Sequence, residues 1–236
     1  MKYFLPPILV AIGCCLLAFA VGAQEKPADS GNLDAVLKQM DTAAASFRTT
    51  EAQFEWDRYE KVIDEVDDIQ SGTIYYRRTG KEVQMKAEIT KPDRKYVLVS
   101  DGKIKMYLPK PDQLTVYDLG KKSDDFESYL VLGFGGSGQD LMKAFQVTNL
   151  GLETINGVAT AKLELVPKSE KVRNTFKRIL LWIDLDRGIS VQQQFFEPQG
   201  DYRLAKYSTI KVNEKIGNDV FQIKTTSKTE TISPRG

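Results

Sequence analysis

TFKRILLWIDLDRGISVQQQFFEPQGDYRLAKYSTIKVNEKIGNDVFQI, residues 175–223, is the stretch whose pattern decides the fold. Apolar-rich runs are broken by Asp186-Arg187-Gly188 and by Pro198-Gln199-Gly200-Asp201, residue types that accept tight or left-handed turns. Strands joined by so few residues are antiparallel neighbours, because a parallel return needs a longer crossover. The runs form a meander. In Ile179-Leu180-Leu181-Trp182-Ile183 both alternate faces are apolar, whereas a strand with one wet face alternates apolar with polar. Both faces of the sheet therefore need cover. One covers itself by curling; the other needs helices, a lid or a ligand.

Upstream, Leu33, Val36, Leu37, Met40, Ala44 and Phe47 recur at helical spacing, with Ser30 or Asn32 as N-cap, which predicts an amphipathic helix lying on the sheet. Strands are expected over Thr50–Tyr59, Gly72–Arg78 and Val83–Ile89, the first two flanking an acidic turn, Asp64 to Asp68. Ser100-Asp101-Gly102-Lys103 and Ile155-Asn156-Gly157-Val158 are hairpin signals, since Asp-Gly and Asn-Gly accept paired positive φ angles. Pro109-Lys110-Pro111-Asp112 turns the chain again, and Pro167 to Asn174 reads as a charged loop. About eleven short antiparallel strands in one domain tend to curl into an unclosed, half-barrel sheet. The fold class is α+β.

Lys121 to Phe145 interrupts the strands. Asp124 opens a short helix carrying Phe126, Tyr129, Leu130 and Leu132, and a second short helix carries Leu141, Met142 and Phe145. Between them Gly133-Phe134-Gly135-Gly136-Ser137-Gly138 satisfies G-x-G-x-x-G in form. It follows a helical segment and no βαβ unit surrounds it, so a dinucleotide site is disfavoured. A hinge between two lid helices and a plain linker both fit the glycines.

Met1-Lys2, the apolar run Ile8–Ala20 and Val21-Gly22-Ala23 read as a secretory signal peptide cleaved near Ala23, too short for a membrane span. Residues 24–236 then form one domain in the periplasm. Cys14 and Cys15 both lie in the leader, so the exported chain has no disulfide. Ala11-Ile12-Gly13 fits a lipoprotein box poorly and disfavours lipidation of Cys14. The exported chain balances its 32 acidic residues with as many basic ones, which gives nucleic acid no long-range attraction. The sequence has no histidine, which removes Ser-His-Asp and Cys-His catalysis and the commonest metal ligand. Asp64-Glu65-Val66-Asp67-Asp68 lacks the glycine and terminal glutamate of a calcium loop. No metal and no cofactor are expected.

Read together, four pieces resemble the LolA family of periplasmic lipoprotein carriers: the helix ending in Phe47; Gly72-Thr73-Ile74-Tyr75-Tyr76-Arg77-Arg78; Val97 to Lys103 with its tyrosine strand and proline turn; and Trp182-Ile183-Asp184 with Gly188, Tyr202 and a closing Phe221 strand. The resemblance implies a half-barrel lidded by helices, whose apolar hollow takes lipoprotein acyl chains. It also implies an inner-membrane ABC-type donor, an outer-membrane acceptor, a monomer, and a lid-locking arginine at Arg78. Thr79 stands where the family has proline, and the family's tryptophan is missing near Val83-Gln84-Met85, which leaves the cargo open between lipoprotein and another lipid. Leu98, Met106, Phe126, Tyr129, Leu130, Leu141, Met142, Trp182 and Phe195 are the candidates to line the hollow, with core packing as the alternative for each. Two other classes stand beside the carrier. An envelope sensor or scaffold of the same fold would bind lipoprotein or lipid without moving it. A glycosidase could use Glu153, Glu164, Asp184 or Asp186, none of them in a recognisable motif, and the chain reads as no enzyme.

Overall fold

The computed structural model describes residues 32–80, 82–120, 132 and 134–234. Helix α1 (Leu33–Ser46) is followed by β1 (Thr49–Glu60), β2 (Glu65–Thr79), β3 (Glu82–Lys91), β4 (Lys95–Ser100), β5 (Lys103–Leu108) and β6 (Gln113–Asp118). Helix α2 (Gly138–Ala144) precedes β7 (Phe145–Ile155) and β8 (Val158–Pro167). The one-turn helix α3 (Glu170–Arg173) leads into β9 (Arg178–Asp184), β10 (Ser190–Phe196) and β11 (Tyr202–Val212). A 3₁₀ turn (Asn218–Phe221) and β12 (Glu230–Ile232) follow. The leader and the first short lid helix, with Phe126, Tyr129 and Leu130, lie outside the described residues.

The twelve strands of the described residues form one unclosed sheet in the order β12-β6-β5-β4-β3-β2-β1-β11-β10-β9-β8-β7. The expected meander is β9-β10-β11, and β11 pairs with β1 in the middle of the sheet. Both hairpin signals hold: Asp101 and Gly102 take φ of 52° and 64°, Asn156 and Gly157 49° and 81°. Such pairs of positive angles suit the twist of the flanking strands.

β9 is buried on both faces, as its continuous apolar run requires. On the inner face Ile179, Leu181 and Ile183 pack with Leu163 and Leu165 beneath Val36, Leu37 and Met40 of α1. On the outer face Leu180, Trp182 and Val191 form a separate cluster. Helix α1 is fixed at both ends. Asn32 caps its start by accepting from Asp34 N. At the other end Asn213 donates to the Ser46 carbonyl at 3.0 Å and accepts from Arg48 N at 2.7 Å.

Three expectations need correction. The acidic stretch Glu65–Asp68 is not a turn but the start of β2, because its backbone keeps pairing with β1 up to Glu60–Glu65 and the turn is Lys61 to Asp64. The charged loop after Pro167 contains α3, whose last turn places Lys171 and Arg173 near its exposed carbonyls. Phe221 closes no strand. It sits in the 3₁₀ turn on the outer face, under the Arg77 guanidinium at 4.2 Å from the ring centroid. The chain then runs to the far edge, where Thr226 and Thr229 donate to Asp112 at 2.5 and 2.6 Å and β12 pairs parallel to β6.

Candidate functional site

A cavity of about 790 Å³ opens on the inner face of the sheet. Period-two alternation carries side chains to it from five strands. Trp56 on β1, Ile74 and Tyr76 on β2, Met85 on β3, Phe195 on β10, and Ala205 and Tyr207 on β11 all line it. The register explains the convergence, since Trp56 lies opposite Ala205, and Phe54 opposite both Tyr207 and Gly72. Gly72 has no room for a side chain, because a Cβ there would stand 1.9 Å from the Glu88 carbonyl oxygen. Val172, Thr175 and Phe176, from the segment joining β8 to β9, close one side, and Phe176 packs on Phe195 with ring centroids 5.3 Å apart. The volume falls in the range of about 300–1,000 Å³ typical of small-molecule sites.

The lining mixes these apolar side chains with polar ones. Gln193 is buried; its amide nitrogen donates to the Leu132 carbonyl, and its oxygen accepts from Tyr207 Oη at 3.4 Å. Burial pushes the Tyr76 phenol well above its ordinary pKa, and burial likewise raises that of Tyr207, so both stay neutral donors at any physiological pH. The lining also carries charge, from Asp57, Arg58, Asp68, Lys95, Lys171 and Arg203. Arg58 pairs with Glu60 at 3.1 Å, and Arg203 with Glu197 at 3.2 Å.

A strap crosses the inner face beside the cavity. Phe134 is fully buried, 5.2 Å from the Tyr76 ring and 4.8 Å from the Tyr207 ring, the latter edge-on. Arg78 fastens it, donating to the Ala44 carbonyl of α1 at 2.9 Å and to the Gly135 carbonyl at 2.6 Å, over the Phe47 ring. The glycines here serve close packing. A Cβ on Gly135 would stand 2.4 Å from the Phe47 ring and one on Gly138 2.6 Å from the Leu37 carbonyl oxygen. The close packing leaves the hinge reading without support from these two glycines.

The predicted lining residues are scattered. Phe195 lines the cavity, and Met106 shares its face, half-buried, without reaching it. Leu141 is buried in the core beneath α1, and Met142 is 42% exposed. Leu98 and Trp182 lie on the outer face, which corrects their assignment. Leu98 pairs with Lys86 and Lys105, and Trp182 donates its indole N–H to Glu153 at 2.6 Å. Both are buried without facing the hollow, because both faces of this sheet are covered. Among the residues that sequence reasoning missed, Trp56 and Tyr76 could have been found from alternation with Phe54 and Ile74. Gln193 could not, sitting between Gln192 and Gln194 with nothing to single it out.

No curated protein matches the sequence. Among solved structures, an "uncharacterized conserved protein" from Thermus thermophilus is 10% identical with a TM-score of 0.53, covering 85% of this chain and 98% of that one. MucB is 14% identical with a TM-score of 0.52, covering 82% of this chain and 64% of that one. This chain thus spans under two thirds of MucB, and at such identities both likenesses speak to the fold alone. LolA superfamily protein NE2245 from Nitrosomonas europaea is 13% identical over 81% of this chain and 97% of that one, with a TM-score of 0.40. The family profile described as outer membrane lipoprotein carrier protein LolA matches residues 41–224, most of the chain, and the protein is a member of the LolA family.

Proposed function

We propose that this protein is an exported, non-catalytic carrier that takes up acyl chains of lipoproteins or lipids in its inner-face cavity and moves them from the inner to the outer membrane. The supporting observation is the cavity itself: about 790 Å³, with Trp56, Ile74, Tyr76, Met85, Phe195 and Tyr207 giving it an apolar stretch whose buried phenols stay neutral, beside charged side chains such as Arg58, Asp68 and Arg203. Each methylene moved there from water is worth about 0.8 kcal/mol, so an acyl chain would bind by burial alone. Residues 1–23 act as the secretory leader and 24–236 as the working domain, receiving cargo from an ABC-type donor and passing it to an outer-membrane acceptor.

Release needs a competitor for the cavity, and the strap supplies one. Phe134 stacks on Tyr76 and Tyr207, which also line the hollow, so strap and cargo compete for the same aromatic surface. Arg78, bonded to carbonyls on both α1 and the strap, holds the closed arrangement. Lower affinity for cargo follows wherever the closed state must first be opened.

Titration of the purified exported chain with a fluorescent long-chain fatty acid tests this, with native mass spectrometry of protein from the host to identify bound acyl chains. Phe195→Ser should weaken binding several-fold, while Trp182→Phe on the outer face should leave it unchanged. Absence of binding, or equal loss in both variants, would remove the cavity as the cargo site.

A further inference from the structure

Of the nine exposed large apolar side chains among the described residues, four lie within eight positions of one hairpin: Val62 (95% exposed), Ile63 (53%), Val66 (45%) and Ile69 (54%). Single exposed apolar residues are ordinary, but a cluster marks a contact surface. This hairpin overhangs the sheet. Pairing of β2 with β3 begins only at Ser71–Lys91, and that of β1 with β11 ends at Tyr59–Tyr202. It is nonetheless held in place. Tyr59 stacks on Tyr202 at 4.6 Å and donates to Asp64 at 2.5 Å, and Asp201 accepts from Lys61 N at 2.9 Å.

Charge sets the kind of surface that can receive it. Residues 60–69 carry Glu60, Asp64, Glu65, Asp67 and Asp68 against Lys61 alone. Arg58 neutralises part of this, at 3.1 Å from Glu60 and 3.9 Å from Asp67. An anionic lipid surface repels such a collar, and a second copy would present the same charges. The stem of the hairpin meets the cavity, since Arg58, Asp68 and Gln70 line it.

We propose that the β1–β2 hairpin is a docking tip for a membrane-resident protein, inserting Val62 and Ile63 into an apolar groove rimmed by lysine or arginine and thereby bringing the cavity up to that partner. That the partner lives in a membrane rests on the carrier reading; that it is a basic-rimmed protein groove rests on the tip.

The test is co-sedimentation of the cargo-free exported chain with envelope vesicles of its host, against protein-free liposomes made from the lipids of the same vesicles. The wild type should bind the vesicles at low salt, more weakly as salt rises, and should not bind the liposomes. Val62→Ser with Ile63→Ser should weaken that binding by about tenfold or more, as two lost apolar contacts require. Glu65→Lys with Asp67→Lys should weaken it too. All four side chains lie in the overhang, so melting temperature should hold, and fatty-acid affinity should hold with it. Equal binding to liposomes would make the target a bilayer and overturn the proposal, as would no vesicle binding or variants that bind like wild type. Failure of the fatty acid to bind would count against the carrier reading, while sedimentation still decides the tip.

Discussion

The guanidinium of Arg78, on β2, donates to the backbone carbonyl of Gly135, in the strap, across 2.6 Å, and its other amino group donates to Ala44 of α1 at 2.9 Å. One side chain thus joins sheet, helix and strap. Arg78→Leu should cost about 1–3 kcal/mol, since two part-buried carbonyls lose a charged donor. Hydrogen exchange should quicken at Phe134 to Ser137 and at the end of α1, and fatty-acid affinity should rise as closure weakens. Unchanged exchange would leave Arg78 as a bystander.

Gly135→Ala should be more harmful than an ordinary surface change. Its φ is +83°, and the new Cβ would press on the Phe47 ring at 2.4 Å. Strain of this kind costs about 1–3 kcal/mol, visible as a lower melting temperature. A neutral result would mean that Phe47 gives way freely.

Phe134→Ala removes a fully buried ring between Tyr76 and Tyr207. A loss of about 3–5 kcal/mol is expected from such a truncation. The void would adjoin the cavity, so a saturating long-chain fatty acid should restore more of the melting temperature than it adds to the wild type. Equal ligand shifts in both proteins would separate the strap from the cargo site.

Asp112 should hold the C-terminal segment through its ionised form. Hydrogen bonds from Thr226 and Thr229, and to a lesser degree Tyr107, lower its pKa from 3.8. A carboxyl depressed on folding stabilises above its unfolded pKa, and that contribution is lost as pH falls through the folded value. The tail should therefore loosen only in acid below about pH 3.8, and Asp112→Asn should loosen it at neutral pH. Proteolysis or exchange across residues 224–232 reads this directly.

Local chemistry made the architecture legible. Asn156-Gly157 and Asp101-Gly102 fix their own turns, and the doubly apolar β9 announces a sheet covered on both sides. Which face a buried residue occupies was harder to read. Leu98 and Trp182 are as apolar as any cavity residue, and only long-range register assigns them outward. A short range of sequence also cannot show that Phe47 and Leu37 crowd Gly135 and Gly138, since α1 is some ninety residues earlier in the chain. The family resemblance supplied Arg78, and the hydrogen bonds to Ala44 and Gly135 give that position its physical content.

The central seam of the sheet joins β1 to β11, so that Glu55 and Lys206, 151 positions apart, sit side by side. Contacts this distant in sequence are slow to form, and these wait until β11 has followed β1 out of the ribosome. The middle of the sheet therefore closes late, after the hairpins on either side of it.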